Sequence, residues 1–264
     1  MRASTWTVLS LTILAAFPRA GAAEFGAHVD YWRSDLSGTA KAESASIPAT
    51  RLSFSQLGMD TSENIPSFEL FARFGDTGRH RVSVRYWEQS YSGQTTLTQS
   101  VTFKTFTFPV STQLNSEVSF RDVDLRYAYD FWQGQEVQPR HRNAVWGIFG
   151  LKALTLDSTL SAQSVGTASE GETAPLPVLG LGGRVGLCDS FSLEAQIAGL
   201  ALDVSDVRAS FYEFSLLGRW DCTQNVALEL GWRRWHLGAH IDSTTKVDVD
   251  ATVEGPWLGL EGRF

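Results

Sequence analysis

The sequence predicts an all-β chain that closes into a single antiparallel, up-and-down transmembrane β-barrel. Three observations predict this fold class: a period of two along most of the chain, connections that alternate between long and short, and an N-terminal export signal. Residues 1–23 form the predicted signal peptide and residues 24–264 the predicted barrel. Ten strands is the predicted number, with eight and twelve as alternatives.

The composition narrows the possible function classes. The chain has 264 residues, a hydrophobic fraction of 43% and a formal net charge of −7. The apolar share excludes a disordered chain, and no stretch reaches the roughly 18–20 consecutive apolar residues of a transmembrane helix. The acidic balance argues against a basic surface that binds nucleic acid. We therefore expect no nucleic-acid partner.

The N-terminal segment has the layout of an export signal. Arg2 supplies a positive charge, residues 6–17 form a short apolar segment, and Pro18 ends it. Small residues follow, and they permit cleavage after Ala22 or one residue later. An N-terminal anchor helix is the alternative, but the apolar segment is too short to cross a bilayer core of about 30 Å. We therefore expect the mature chain to be exported.

Ten segments of the mature chain alternate apolar with polar or small residues. In residues 118–132, Val123 and Leu125 fall on one face, whereas Asp124 and Arg126 fall on the other. A pleated strand separates two such sets, whereas a helix would spread them around its circumference. The predicted strands are residues 24–34, 67–74, 79–89, 118–132, 144–157, 176–187, 191–202, 207–220, 226–237 and 252–264.

The connections between these strands alternate in length. The long ones, rich in Ser, Thr and Gly, are residues 35–66, 90–117, 158–175 and 238–251. The shorter ones are residues 75–78, 133–143, 188–190 and 221–225, and 203–206 is short where a long one is expected. Short turns at one end and long loops at the other are typical of outer-membrane barrels. Residues 101–108 also alternate, and they either extend a hairpin above the membrane or add strands.

Periodicity does not decide whether the apolar face points outward or inward. A lipocalin-like barrel or a secreted β-sandwich would turn it inward. In hydrocarbon, however, no strand edge can stay unpaired, so a sheet with an apolar face must close on itself. Aromatic residues such as Trp87, Trp132 and Trp220 gather near segment ends, as they do at membrane interfaces. Together with the export signal, the alternation of loop lengths, the long strands and the terminal Phe264, this predicts that the apolar face meets lipid.

The final strand carries the most specific motif of the chain. Leu258 and Leu260 alternate before an aromatic last residue, Phe264, while Gly262 stands where a second aromatic is common. In this motif, and in its pattern over nearly all of residues 24–264, the chain resembles Gram-negative outer-membrane β-barrel proteins, and the motif resembles their insertion signal. The resemblance implies a bacterial outer-membrane location and insertion by the barrel-assembly machinery. It also implies contact with outer-membrane lipid and lipopolysaccharide, and a monomer.

If the apolar face meets lipid, the charged faces of the strands line the lumen. The predicted lumen acids are Asp30, Glu69, Asp122, Asp124, Asp130, Glu194, Glu213, Glu229 and Glu261. The predicted lumen bases are Arg73, Arg81, Arg85, Arg126, Lys152, Arg184, Arg219, Arg233 and Arg263. Unpaired charges are costly in a confined interior, and barrels of about eight strands are filled by side chains. We therefore predict a charge-paired, closed lumen and a structural or surface-interaction role, with a narrow channel for small solutes as the alternative.

Few residues point to catalysis. No hydrolase, zinc-protease or phosphate-loop motif occurs, and the glycine-rich run 180–186 lacks dinucleotide-loop spacing, so its glycines are expected to make room for large neighbours. His236, His240 and Asp242, with Asp203 and Asp206, would lie at the outer rim. Such groups can bind a metal or activate water, and the ten-strand omptin proteases use Asp and His groups at such a rim. A rim hydrolase of omptin or lipid-deacylase type is thus a further alternative, and an ordinary polar loop is the simpler interpretation. We expect neither a cofactor nor a metal.

The chain has two cysteines, Cys188 and Cys222, each in a short polar turn. An exported protein meets a compartment that permits disulfides. The sequence leaves two alternatives for these cysteines: one disulfide bridge between them, or two free thiols.

Overall fold

The computed structural model describes residues 23–44, 50–75, 77–103, 106–134, 143–204, 207–242 and 245–264. The predicted signal peptide lies outside these residues except for Ala23. Among the residues described, no helix is long and apolar enough to cross a membrane.

In the described part of the chain, the regular elements are thirteen β-strands. They are β1 (Glu24–Ser44), β2 (Leu52–Ser53), β3 (Ser62–Phe74), β4 (His80–Thr96), β5 (Val101–Phe103), β6 (Phe106–Phe108), β7 (Gln113–Gln133), β8 (Ala144–Ala162), β9 (Gly166–Cys188), β10 (Phe191–Val204), β11 (Val207–Asp221), β12 (Val226–Asp242) and β13 (Thr245–Arg263).

Ten of these strands form a closed antiparallel wall. Their order around the wall is β1, β3, β4, β7, β8, β9, β10, β11, β12 and β13, and β13 pairs again with β1. At the end that holds the short turns, the Phe264 amide donates to the Phe25 carbonyl over 2.9 Å. Each predicted strand lies in one wall strand, except that Arg79 and Phe264 fall just outside β4 and β13. The predicted all-β, ten-strand barrel is confirmed.

The apolar face points outward over the lower part of the wall. Leu125 is 49% exposed and Leu181 57% exposed, whereas Arg126, next to Leu125 in sequence, is 7% exposed. Similar exposed apolar side chains lie on every wall strand, and they form a continuous belt. A soluble carrier would show the opposite orientation, so this belt is the lipid-facing surface of a membrane barrel.

The wall is taller than the predicted strands, because the strands continue beyond the belt. The connections predicted as long loops at 158–175 and 238–251 are largely the upper parts of two hairpins, β8–β9 and β12–β13. In this upper part the apolar residues change faces: Leu154, Leu176 and Leu237 point inward and are buried. The reason is the change of solvent. Where water surrounds the wall, a strand exposes polar groups and buries apolar ones inside.

Two segments fold over the mouth of the barrel. Residues 54–59 turn inward with Phe54, Leu57 and Met59 buried, and Met59 forms a β-bridge with Gly93 of β4. Strands β5 and β6, which cover the predicted alternating segment 101–108, form a separate two-stranded sheet. That segment therefore adds strands without joining the wall.

The glycine-rich run 180–186 lies in β9 and makes room for a bulky side chain. A Cβ atom added to Gly182 would lie 2.3 Å from ring atoms of Trp146 on the neighbouring strand β8. At Gly183, which faces the other side of the sheet, the nearest contact would be an ordinary 3.6 Å. The run is therefore part of the packing of the wall.

Candidate functional site

The lumen within the lipid-facing belt contains a dense network of ion pairs. Glu213 of β11 lies at its centre and crosses the lumen to the opposite wall. Its carboxylate accepts hydrogen bonds from Arg85 of β4 over 2.9 Å and from Arg126 of β7 over 2.7 Å. A strand register alone does not bring these residues together, because they meet only when the barrel closes.

Buried pairs extend the network along β7 and β8. Lys152 Nζ donates to Asp122 Oδ2 over 2.6 Å and lies 3.1 Å from Asp124 Oδ2. On the β3–β4 side, Arg81 donates to Glu69 over 2.8 Å. Every one of these groups faces another of opposite sign, which is the arrangement that a low-dielectric interior requires.

A second cluster includes a histidine that the sequence analysis missed. His28 Nε2 lies 3.0 Å from Glu229 Oε2, and His28 Nδ1 lies 3.5 Å from Asp30 Oδ2. Arg233 donates to the same Asp30 carboxylate over 3.3 Å and lies over the ring of Trp257. The alternation of β1 places His28 on the inner face. His28 was not predicted in the lumen, because only acids, arginines and lysines were considered as lumen charges.

A third cluster closes the lower end of the lumen. Arg219 donates to Glu229 over 2.7 Å and to Glu261 over 2.6 Å. Arg263 donates to Asp221 over 2.7 Å. Asp221 was not predicted in the lumen, because it was assigned to a turn, whereas β11 extends to include it.

The remaining predicted lumen residues lie at the margins of these clusters. Arg184 donates to Glu194 over 2.6 Å, and Asp130 accepts a hydrogen bond from Gln133 over 2.9 Å. The buried Nε of Arg73 has no hydrogen-bond partner among the residues described. A cavity of about 110 Å³ lies among the side chains of this layer, with His28, Glu69 and Arg126 in its lining.

An aromatic layer covers the ion-pair network. The ring of Trp235 packs edge-on against Trp87 at 5.8 Å and Phe120 at 5.6 Å, and it contacts Phe211 at 5.8 Å. Trp87, expected from the sequence at a membrane interface, is instead buried in the lumen, where it contacts Trp32 at 6.0 Å. Lys152 Nζ lies 4.5 Å from the centre of the Phe211 ring and so joins the two layers. The lumen is thus layered, with charges below and rings above.

The candidate rim residues do not converge on a site inside the barrel. His236 and His240 alternate with the buried Trp235 and Leu237, so both lie on the outer face of β12. His236 Nδ1 is 3.0 Å from the Thr252 hydroxyl, and His240 Nδ1 is 3.9 Å from Asp248 Oδ2. The side chains of Asp203, Asp206 and Asp242 lie outside the described residues.

The structure also locates the other residues singled out in the sequence. Within the described part of the chain, no three His, Cys, Asp or Glu side chains are grouped so that they could hold a metal ion. Cys188 and Cys222 are exposed free thiols at two different short turns, so the bridged alternative is not observed. Leu258, Leu260 and Phe264 all point outward into the lipid-facing belt.

Comparisons with known proteins agree with the architecture. No protein-family model matches the chain, and no curated protein matches it either. Among solved structures, the outer membrane protease OmpT from Escherichia coli is similar with a TM-score of 0.52 at 10% identity, over 91% of this chain and 97% of that one. The transport unit of the autotransporter AIDA-I from Escherichia coli matches with a TM-score of 0.45 at 8% identity, over 97% and 94% of the two chains.

The likeness to OmpT concerns the fold alone. With its closed ten-strand wall, outward-facing apolar belt and charged lumen, the chain has the fold of an outer-membrane β-barrel.

Proposed function

We propose that this protein is a closed, non-enzymatic outer-membrane barrel that holds a rigid extension above the membrane for a structural or surface-interaction role. The observation that carries the proposal is the layered lumen, in which an interlocked ion-pair network lies beneath a layer of packed aromatic rings. Outer-membrane lipid and lipopolysaccharide are its proposed surroundings.

The energetics of the lumen support a closed state. A solute crossing the barrel would have to separate pairs such as Arg126–Glu213, whose side chains are almost fully buried. Separating a buried pair leaves an uncompensated charge and costs about 3–5 kcal/mol. The rings of Trp87 and Trp235 would also have to move apart above it. Both layers must rearrange together, which disfavours a static pore.

The surface role is supported by the upper wall. Its outer face carries exposed ion pairs, including Arg121–Glu88 over 2.9 Å and Arg234–Glu254 over 3.4 Å. Exposed pairs contribute little to stability, so these charges serve solubility and contacts more than folding. Because the wall strands themselves form this region, it offers a fixed surface in place of flexible loops.

Conductance in planar bilayers tests the closed state directly. We expect the purified, refolded protein to give no single-channel steps. Reproducible steps that change in amplitude with Arg126→Ala, and not with the outer-face control Arg121→Ala, would contradict the proposal and favour the narrow channel.

A second assay tests the non-enzymatic part. The protein is incubated with peptides and with lipopolysaccharide, and no turnover is expected. Turnover that disappears in His240→Ala would contradict the proposal and favour a rim hydrolase.

A further inference from the structure

The upper part of the barrel encloses a second cavity, separate from the charged lumen. It has a volume of about 410 Å³ and lies above the aromatic layer. Its walls are inward-facing aliphatic side chains from strands around the barrel, such as Val118, Leu154, Leu176, Leu237 and Val249. We call this space the upper chamber.

The two inward-folded segments form the roof of the upper chamber. Leu52 of β2 and Phe54, Leu57 and Met59 of the first segment line it from one side, and Val101 and Phe103 of β5 line it from the other. The Thr50 amide donates to the Thr102 carbonyl over 3.3 Å, which ties the segments together. The sides and the top of the chamber are therefore lined mainly by apolar groups.

A cavity of this size and apolar lining indicates a bound ligand. Packed protein interiors contain few voids larger than a water molecule. Water is a poor filler for its apolar part, because a stable buried water needs two to four polar partners and apolar cavities stay dry. The size lies within the usual range of ligand pockets, about 300–1,000 Å³. The upper chamber thus has the properties of a binding site for an apolar small molecule.

The size and charge of the chamber define the ligand class. An apolar cavity of about 150 Å³ holds one benzene ring, so this volume accommodates two or three rings or a medium-length alkyl chain. Among the described residues, the charged groups at its margin are mainly acidic: Glu117, Glu170 and Glu172 accompany one lysine, Lys41. Such a margin disfavours a carboxylate ligand. We propose that the upper chamber binds a neutral, hydrocarbon-like small molecule from outside the cell.

This inference goes beyond the proposed function and is independent of it. The aromatic layer separates the chamber from the ion-pair network, so binding does not require an open or a closed lumen. Single-channel steps in a planar bilayer would therefore not contradict the proposed binding site. Failure of the upper chamber to bind a ligand would not contradict the proposed closed barrel.

The test uses the full mature chain in lipid nanodiscs and the neutral dye N-phenyl-1-naphthylamine. Empty nanodiscs give the background from partition of the dye into lipid. We expect wild-type protein to add a saturable fluorescence increase with one dye per barrel. Absence of a saturable component would overturn the proposal.

Paired variants locate the site. Ala174→Trp with Ala209→Trp places two indole rings in the chamber and is expected to weaken dye binding at least tenfold. Thr173→Trp with Ser210→Trp places the same rings on the outer face of the same strands and is expected to change affinity less than twofold. A filled variant that binds like wild type while keeping the gel mobility of a folded barrel would overturn the proposal. If the double variant does not fold, Ala209→Phe is used against Ser210→Phe.

Competition tests the ligand class. At alkaline pH, dodecanol is expected to displace the dye at lower concentrations than dodecanoate, which has the same chain and a negative charge. Equal displacement by the two would overturn the assignment of a neutral ligand.

Discussion

Replacing Lys152 by methionine is expected to destabilise the barrel several times more than breaking an ion pair on its outer face. Lys152 is 1% exposed, and its ammonium group lies within 4 Å of Asp122, Asp124 and Glu213. Methionine keeps much of the side-chain volume, so the main change is the loss of charge. The carboxylates that remain are buried with too few cations.

The magnitude follows from the burial of the cluster. Removing one partner of a buried pair costs about 3–5 kcal/mol, because the remaining charge is left uncompensated. Arg121→Met is the matched control, since its 2.9 Å pair with Glu88 is half-exposed and is worth about 0–1 kcal/mol. Removing both Lys152 and Asp122, as Lys152→Met with Asp122→Leu, restores the charge balance. We expect this double variant to recover most of the loss.

Stability is measured by urea unfolding of the refolded barrel in lipid vesicles, followed by tryptophan fluorescence. The free energy of unfolding is obtained by linear extrapolation, and the slope shows whether the unfolding reaction is unchanged. Equal losses for Lys152→Met and Arg121→Met would refute the reasoning, because the lumen would then behave as a solvated surface.

Three further predictions concern the wall and its ends. Gly182→Ala should lower the free energy of unfolding by about 1–3 kcal/mol by crowding the indole beside it, whereas Gly183→Ala should change it by less than about 0.5 kcal/mol in the same assay. A bulky, membrane-impermeant maleimide should label Cys188 and Cys222 without reductant in permeabilised cells, and it should label neither cysteine in intact cells. Labelling in intact cells would place the short turns on the outer side of the membrane. Phe264→Ser should reduce the heat-modifiable fraction in cell membranes while purified protein still refolds; unchanged insertion in cells would exclude a role as the insertion signal.

Much of the wall could be predicted because lipid imposes a simple rule on each strand. Outward residues such as Leu125 and Leu258 are apolar, and their neighbours in sequence are charged or small. This rule gave the ten strands and the residues that face the lumen. The direction of the apolar face needed a separate argument from the export signal and the loops.

The upper wall was missed although the sequence carries a signal for it. On β12 the exposed apolar residues are at even positions up to Trp232, and the buried ones above are at odd positions, Trp235 and Leu237. On β13 the same change separates Leu258 from Val253. A shift of apolar residues from one face to the other marks the point where a strand leaves lipid. The predicted strands 226–237 and 252–264 already contain this shift, but the residues beyond them were assigned to a long loop.

Contacts across the lumen lie beyond what one sequence provides. Glu69 and Arg85 are paired in register on adjacent strands, so a hairpin predicts their proximity. Arg126 and Glu213 approach from separate parts of the wall, and their distance depends on barrel diameter and strand tilt.

The seam between the first and last strands has a consequence for how the molecule matures. β1 and β13 are paired from Gly26–Arg263 up to Ser44–Thr245, so the ladder that closes the wall joins opposite ends of the polypeptide. Contacts so distant in sequence form slowly, because the intervening chain must first be brought together. Until the last residues of the chain have been synthesised, β1 lacks its partner strand β13. Neighbouring hairpins can form early, but closure of the barrel is necessarily a late event. A chain truncated before β13 would keep two strand edges without hydrogen-bond partners.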